Sequence, residues 1–274
     1  MRPAEVLARA TSYLEAHDVD EPRRAAEILM EHVLRTDRAT LYSRTDALNA
    51  AEARAFGRAL CRRCAGSPLQ HVTGEQSFRS ITLRVRPGVF IPRPETEIVV
   101  DAALEVISGV PSPTVVDVGT GAGAIALSIK AERPDARVFA TDVSDEAIEL
   151  ARENAGALGL DVEVLAGDVL GSLPPDVRAS LVVSNPPYVT AAEYATLPPE
   201  VLADPERALL GGTELHARLA AESSAHLSPG GWLVMEIGAT QGGEVAALLR
   251  DAFIDVAVLP DLAGRDRVVR GRLR

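Results

Sequence analysis

The chain has 274 residues, of which 47% are hydrophobic, and such a chain can bury the core of one large or two modest domains. No apolar run reaches the ~18 residues of a membrane span, and the first residues lack the apolar region of a signal peptide. We therefore expect a cytoplasmic protein with no membrane partner. The net charge of −11 repels polyphosphate at long range and argues against a nucleic-acid substrate.

The only two cysteines, Cys61 and Cys64, do not indicate a metal or redox site. No second Cys or His pair stands at zinc-finger spacing, and no predicted strand precedes the pair as in thioredoxin-like motifs. Because residues i and i+3 share one face of a helix, we expect both thiols to be small core residues. The five histidines are scattered, and we assign none of them to a metal or to catalysis.

The N-terminal part of the chain has helical periodicity. Apolar residues recur at helical spacing in three segments, which predicts a bundle of three or four short helices. The pattern changes at Ala65-Gly66-Ser67-Pro68, and residues alternate between apolar and polar from Ser77 to Val85, as is typical of paired strands. We therefore predict a helical domain over residues 1–66 and a β-hairpin linker over 67–95.

The remaining residues, 96–274, alternate between strand and helix patterns. Short apolar runs bounded by turn or cap signals predict five buried strands, at 115–119, 138–143, 162–165, 181–184 and, after a turn at 229–231, at 232–237. Segments 254–260 and 267–273 can pair as a C-terminal antiparallel hairpin. The pattern predicts an α/β domain whose mostly parallel sheet is covered by helices on both faces.

The turn Asn185-Pro186-Pro187-Tyr188 directly follows the fourth strand, where open α/β sheets bind ligands. Two consecutive prolines fix φ near about −65° and supply no N–H donor, so the turn is stiff and its carbonyls stay available. The Asn185 side-chain carbonyl and a neighbouring backbone carbonyl can accept both N–H bonds of one planar –NH2 group, with Tyr188 over its flat face. Such a clamp orients an amide or aromatic amine, a poor nucleophile that gains most from positioning.

A glycine loop follows the first strand of the same domain. Gly119-Thr120-Gly121-Ala122-Gly123 does not match G-x-G-x-x-G, because its third glycine arrives one residue early, and Asp117 stands just before it. A carboxylate leaves less room for a diphosphate, whereas glycines admit close approach of a ligand to the backbone. The loop therefore predicts a ligand without phosphate that carries an amino-acid end and a nucleoside.

Acidic residues stand at the ends of the second and third strands. Asp142 is placed to accept hydrogen bonds from both ribose hydroxyls, and Asp168 can meet an adenine amino group while Val169 packs on the ring. S-adenosylmethionine has this shape, and its electrophilic methyl group would lie at the edge onto which the Asn185 clamp opens. The combined pattern predicts methyl transfer to nitrogen by in-line attack, without a covalent intermediate.

With these motifs the chain resembles the HemK-like glutamine N5-methyltransferases, and most closely the release factor glutamine methyltransferases. The likeness extends over nearly the whole chain. It rests on the glycine loop with Asp117, on the Asn185 turn and on four further segments: Pro68-Leu69-Gln70-His71-Val72-Thr73-Gly74, Ile91-Pro92-Arg93-Pro94-Glu95-Thr96-Glu97, Glu236-Ile237-Gly238 and Asp261-Leu262-Ala263-Gly264-Arg265-Asp266-Arg267.

The resemblance implies a class I S-adenosylmethionine-dependent methyltransferase fold for residues 96–274, with the helical domain helping to bind the substrate. The implied substrate is the side-chain amide of the glutamine in the Gly-Gly-Gln loop of class 1 peptide chain release factors, and the product is N5-methylglutamine. The implied catalytic residues are Asn185, Pro186, Pro187 and Tyr188. The implied cofactor-binding residues are Gly119, Thr120, Gly121, Ala122, Gly123, Asp142, Asp168, Val169 and Asn185. Phe90 and Arg93 would form the wall between cofactor and substrate.

Three positions depart from the family pattern. His71 stands where Tyr is more usual, Asp204 replaces a common Glu, and Glu214 falls where Gly is frequent. We expect these departures to affect the choice of protein partner rather than the chemistry.

Three other functions stay open at this point. A glutamine methyltransferase acting on a ribosomal protein would share the clamp, but it usually carries Pro-Arg-Ser where this chain has Pro92-Arg93-Pro94. An adenine-N6 methyltransferase on DNA or RNA would fit the same clamp but would need a basic groove or a target-recognition domain. A non-catalytic adaptor would keep the fold without needing Asn185 and Asp142.

Overall fold

A computed structural model describes every residue from Met1 to Arg274. The helices are α1 (Pro3–Glu15), α2 (Pro22–Leu34), α3 (Arg38–Ser43), α4 (Ala50–Cys64), α5 (Leu69–Thr73), α6 (Glu97–Val106), α7 (Ala124–Glu132), α8 (Asp145–Leu158), α9 (Ala191–Tyr194), α10 (Glu206–Leu209), α11 (Glu214–His226) and α12 (Gly242–Leu249). The strands are β1 (Glu75–Phe78), β2 (Ile81–Arg84), β3 (Thr114–Val118), β4 (Arg137–Asp142), β5 (Val162–Ala166), β6 (Ala179–Ser184), β7 (Leu227–Glu236), β8 (Phe253–Pro260) and β9 (Asp266–Leu273), and a 3-10 helix spans Pro94–Thr96. None of the helices combines the length and apolar character that crossing a bilayer requires.

The chain divides into two compact units. The smaller unit consists of Met1–Glu75 together with Pro198–Ala203. Its five helices, α1 to α5, bury a core of their own in which Leu14, Leu29 and Met30 have no exposed surface. Helix α5 falls within the segment that the sequence pattern assigns to the hairpin linker.

The two cysteines of α4 do not share one environment. Cys64 is partly buried and packs against the core of the smaller unit, whereas Cys61 is exposed. The expectation that both thiols are core residues is therefore wrong for Cys61. Between the two cysteines, Arg63 is the buried residue of α4: it is 5% exposed and pairs with Glu200.

The larger unit consists of Gln76–Leu197 and Asp204–Arg274 and contains a seven-stranded sheet. The strand order is β5-β4-β3-β6-β7-β9-β8, with parallel pairing from β5 through β7 and antiparallel pairing of β9 with both β7 and β8. This arrangement confirms the predicted parallel sheet with a C-terminal hairpin. Apolar clusters cover both faces of the central strands, which explains the apolar residues Val115 and Val116 in β3 and Leu181 to Val183 in β6.

The fifth parallel strand begins earlier than the sequence pattern predicts. Pro229-Gly230-Gly231 lies inside β7, which starts at Leu227, and the pairing with β6 shifts register between Ala179 and Leu181. Gly230 has φ of +75°, a conformation that favours glycine. The three residues thus belong to an irregular strand start rather than to a separate turn.

Candidate active site

The glycine loop and the proline turn leave the sheet side by side. Strands β3 and β6 are neighbours, with Val118 opposite Ser184, so Gly119 and Asn185 are the next residues on adjacent strands. The Ser184 hydroxyl donates to the Val118 carbonyl at 2.7 Å and fixes the two strand ends to each other. The structure therefore brings the two predicted halves of the site to one edge of the sheet.

The glycine loop needs the conformations that glycine allows. Gly119, Gly121 and Gly123 have φ of +71°, +56° and +89°, values that other residues rarely adopt. No atom lies within 4 Å of the position of a Cβ on Gly119 or Gly121, so open space adjoins the backbone there. Gly123 instead precedes α7 and would press a Cβ against Leu127 at 2.8 Å. The first two glycines thus leave room for a ligand, and the third allows helix packing.

Asp142 ends β4 and supports the loop. Its Oδ2 accepts a hydrogen bond from the Gly121 N–H at 2.9 Å, and its Oδ1 accepts one from the Ser144 N–H at 2.9 Å. The backbone N–H groups of Gly119 and Thr120 both donate to the Thr141 carbonyl. The side chain of Asp142 remains half-buried, so its carboxylate reaches both the loop and the solvent-accessible edge.

Asp117 is a fully buried carboxyl beneath the loop. Its Oδ2 accepts hydrogen bonds from the Thr120 hydroxyl at 2.6 Å and the Ala126 N–H at 3.1 Å, while its Oδ1 has no partner within the protein. Burial raises the pKa of Asp117 to about 7, and the neighbouring Asp142 charge adds to this rise. A buried acceptor without a donor fits a ligand that brings a positive charge or an N–H group.

Asp168 and Val169, which follow β5, are not placed as the sequence pattern predicts. Asp168 is exposed, and its carboxylate pairs with the Arg218 guanidinium at 2.9 Å. Val169 is 3% exposed and belongs to the core, and its carbonyl accepts the Thr141 hydroxyl. The structure therefore does not bring the Val169 side chain to the open edge. Val143, directly after Asp142, is 65% exposed and offers the apolar surface that the sequence pattern assigned to Val169.

The proline turn is held by polar contacts on both sides. The Asn185 Nδ2 donates to the Thr96 hydroxyl at 3.0 Å, and the Tyr188 hydroxyl donates to Glu236 Oε1 at 3.2 Å. The Gln241 Nε2 donates to the Tyr188 carbonyl at 2.9 Å. Pro186 is buried, while Asn185 and Tyr188 are half-buried. The turn therefore has a fixed backbone, and the Asn185 side chain remains partly exposed at the end of β6.

Phe90 and Arg93, the two residues expected at the wall of the pocket, contact each other. The Arg93 Cζ stands 5.3 Å from the centre of the Phe90 ring, and the Arg93 guanidinium pairs with Asp204. Asp204 is 3% exposed and also accepts the Ile91 N–H at 3.0 Å. Burial raises the pKa of the Asp204 carboxyl, and the Arg93 charge opposes this rise. Asp204, one of the three departures from the family pattern, thus holds the segment that contains Phe90 and Arg93.

A segment from Asp204 to Gly212 supports the turn from the other side. The Val189 N–H donates to the Leu209 carbonyl at 2.9 Å, and the Gly211 N–H donates to the Val189 carbonyl at 3.1 Å. A Cβ on Gly211 would lie 2.2 Å from the Pro187 oxygen, closer than atoms in proteins approach. The segment therefore packs directly on the proline turn and requires glycine at position 211.

Sequence reasoning assigned no site role to Thr96, Glu236, Asp204, Gly211 or Val143. The first four act through partners elsewhere in the chain: Thr96 and Glu236 lie in segments that carry the resemblance, Asp204 stood out only as a departure, and Gly211 gave no signal. Val143 carried a local signal, because it is an apolar residue that directly follows the acidic end of a strand. The structure contains no group of three His, Cys, Asp or Glu residues that could hold a metal ion.

Comparison with known proteins assigns the larger unit to a class. Residues 80–217 match a family model described as the methyltransferase small domain. A T. thermophilus 16S rRNA N2 methyltransferase, solved with AdoMet and guanosine, has a TM-score of 0.57 and 21% identity over 73% of this chain and 50% of its own. A methyltransferase from Pyrococcus furiosus has a TM-score of 0.51 and 16% identity over 69% of this chain and 87% of its own. The protein has the fold of class I S-adenosylmethionine-dependent methyltransferases.

Relatives that align with nearly the whole chain identify its family within this class. Residues 5–74 match a model described as the PrmC N-terminal domain. Release factor glutamine methyltransferases from Deinococcus radiodurans and Cereibacter sphaeroides are 43% and 42% identical to the chain. The first alignment covers 99% of both chains, and the second covers 100% of this chain and 99% of the relative. The chain belongs to the release factor glutamine methyltransferase family, and its cofactor is S-adenosylmethionine.

The residues around the glycine loop fit this cofactor. The open space beside Gly119 and Gly121 admits close approach of a ligand to the backbone, and the unpartnered Asp117 oxygen suits a ligand that carries an ammonium group. Asp142 adds a second carboxylate at the same edge. The site thus offers acceptors to a ligand rich in donors and positive charge.

The contact between Gly211 and Pro187 leads to a prediction. Gly211→Ala should displace the backbone of the proline turn, and because small misplacements of reacting groups are costly, we expect kcat to fall about 10–100-fold. The control is Gly156→Ala, since Gly156 lies in α8 with no atom within 4 Å of a Cβ. That control should keep wild-type kcat and gain about 0.5–1 kcal/mol in unfolding free energy. Equal kcat for Gly211→Ala and wild type would show that the turn tolerates the shift.

Proposed function

We propose that the protein transfers the methyl group of S-adenosylmethionine to the side-chain amide nitrogen of the glutamine in the Gly-Gly-Gln loop of class 1 peptide chain release factors. The reaction takes place in the cytoplasm, and nucleic acid is not the substrate. The smaller, helical unit contributes to binding the release factor. The names of full-length relatives at 40–43% identity support this substrate.

One observation of the structure carries the chemical part of the proposal. The pairing of Val118 with Ser184 sets the open glycine loop and the proline turn on adjacent strand ends. Adjacent strands are separated by about 4.8 Å, so a ligand along the loop and an amide in the turn come within reach of each other. Bringing two reactants together in this way supplies much of the rate enhancement for a weak nucleophile.

The cofactor, when bound, supplies an electrophilic methyl group on a sulfonium. In our proposal the Asn185 Oδ1 and the Pro186 carbonyl accept the two N–H bonds of the substrate amide. The amide plane is thereby fixed so that its nitrogen faces the methyl group, while Tyr188, Phe90 and Arg93 wall the pocket against water. Both accepted hydrogen bonds stabilise the positive charge that develops on the amide nitrogen as it gains the methyl group, and one N–H proton is then lost to water to give the neutral methylated amide.

We further propose which residues contact each part of the cofactor. Residues Gly119 to Gly123 and Asp117 hold the amino-acid end, and Asp142 accepts the ribose hydroxyls. Val143 covers one face of the adenine, because it is the exposed apolar side chain beside Asp142. Asp168 remains the candidate for the adenine amino group, although it would have to share its carboxylate with Arg218.

The substrate assignment is tested by mapping the transferred methyl group. The protein is incubated with labelled S-adenosylmethionine and, in separate reactions, with purified release factor, ribosomal proteins and DNA. Mass spectrometry should locate the label on the glutamine of the Gly-Gly-Gln loop and nowhere else. Label on a ribosomal protein or on adenine would replace the proposal with the corresponding alternative.

Asn185→Ala should abolish methyl transfer while leaving cofactor binding largely intact. The substitution removes one of the two acceptors for the substrate amide, whereas the glycine loop and Asp142 are unchanged. Turnover is measured with labelled donor, and the cofactor Kd is measured by isothermal titration calorimetry. Wild-type turnover in Asn185→Ala would refute the clamp.

Asp142→Ala should weaken binding of the cofactor rather than of the substrate. It removes a carboxylate that orders the loop and, in our proposal, the ribose, so cofactor affinity should fall by about 1–3 kcal/mol. The cofactor Kd is again measured by calorimetry. Glu149→Ala in α8 serves as a matched control, because it removes a carboxylate that is 71% exposed and pairs only with Arg86. A similar Kd for the two variants would contradict the role of Asp142.

A further inference from the structure

The Thr96 hydroxyl is directed to the proline turn instead of to its own helix. Thr96 is the residue before α6, where threonine commonly accepts a hydrogen bond from the first turn, yet its side chain makes no such bond. It is 3% exposed, and its Oγ1 accepts the Asn185 Nδ2 at 3.0 Å. Its loss would therefore remove a contact of Asn185 without removing a helix cap.

A buried carboxyl lies on the other side of this hydroxyl. Glu236, at the end of β7, is 1% exposed, and its Oε2 has no hydrogen-bond partner of ordinary distance and angle. The Thr96 hydroxyl acts on this carboxyl as a donor and lowers its pKa against the effect of burial. The Tyr188 hydroxyl also donates to this carboxylate. Thr96, Tyr188 and Glu236 thus form one polar group behind the clamp.

The order of these groups sets the direction of the hydrogen bonds. An ionised carboxylate only accepts, so the single Thr96 proton points to Glu236 and the Thr96 oxygen is left as an acceptor. The Asn185 side chain must then turn its –NH2 toward Thr96. Its Oδ1 consequently faces the other way, as a substrate amide that brings two N–H donors requires.

We propose that Thr96 and Glu236 are positioning residues that hold the Asn185 amide in the one orientation able to bind the substrate –NH2. This inference rests on the proposed function, because it explains how the clamp for that amide is set. We call the contacts from Asn185 through Thr96 to Glu236 the relay. Without the relay the Asn185 amide can rotate by half a turn, and its –NH2 would then meet the –NH2 of the substrate with no acceptor between them.

The charges around Glu236 make the relay sensitive to pH. Tyr188 after β6, Arg267 on β9 and Glu95 in the 3-10 helix all act on the carboxyl, and the His216 ring of α11 bonds the Glu236 backbone carbonyl. Burial raises the pKa of Glu236 to about 7, against the opposing effects of Thr96, Arg267 and Tyr188. A protonated carboxyl can donate to Thr96, so the fixed direction is lost as pH falls through this range.

The test compares Thr96→Val, which has nearly the same volume but no hydroxyl, with Thr96→Ser, which keeps it. In Thr96→Val we expect kcat for release factor to fall about 10–100-fold, because the clamp loses its orientation. The Kd for the cofactor should change less than about threefold, since the glycine loop is unaltered, and the KM for release factor should change much less than kcat, since one side-chain amide is a small part of a protein substrate. Thr96→Ser should recover most of the wild-type kcat. A wild-type kcat in Thr96→Val, or equal losses in both variants, would overturn the relay.

A second measurement does not depend on turnover. In protein labelled with 15N, the Asn185 side-chain NH2 signals should be protected from exchange in wild type and in Thr96→Ser but exposed in Thr96→Val. In wild type they should change as pH passes through about 7, and this change should be absent in Glu236→Gln even though Asp117 titrates in the same range. If wild type labels no release factor, the proposed function fails while these signals still decide the relay. Asn185 signals that are the same in wild type and Thr96→Val would reject it.

Discussion

The parallel pairing of β3 with β6 is the constraint on which the site depends. Val118 and Ser184 are opposite each other, so two turns with opposite properties begin one strand apart. The glycine loop leaves open space beside its backbone, whereas the two prolines make the other turn conformationally rigid. Either turn alone would be a common way to end a strand. Their adjacency places an open backbone and a rigid turn side by side at one edge of the sheet.

The stiffness of the proline turn is not sufficient to orient it, because a rigid segment can still move as a body. The structure fixes it through the segment from Asp204 to Gly212, which bonds the backbone of Ile91 at one end and that of Val189 near the other. Burying Asp204 is unfavourable on its own, as the rise in its pKa indicates. The Arg93 charge and the Ile91 N–H offset this cost, so the carboxyl specifies the position of the segment from Ile91 to Arg93 rather than adding much stability.

The sequence was sufficient for features whose chemistry is local. The glycine loop, Asp142 and the proline turn are short motifs at the ends of apolar strands, and the structure brings them to one edge. Contacts between residues far apart in the chain could not be predicted from the sequence. Thr96 and Asn185 are 89 residues apart, and Asp204 and Arg93 are 111 residues apart. Val169 was misplaced for a conformational reason. Its φ of +50° turns the chain at the end of β5, which places the side chain in the core and leaves Val143 exposed.

Two buried carboxyls, Asp117 and Glu236, lie behind the two halves of the site, and burial raises the pKa of each to about 7. In neither case does a neighbouring positive charge neutralise the carboxyl fully: Asp117 has the negative Asp142 beside it, and Glu236 has Arg267 opposed by Glu95. Such groups create a negative potential where water is excluded, so a ligand with positive charge is stabilised more strongly there than in solvent. In their ionised form the two carboxyls thus add negative potential on both sides of the strand ends, in addition to the carboxylate of Asp142.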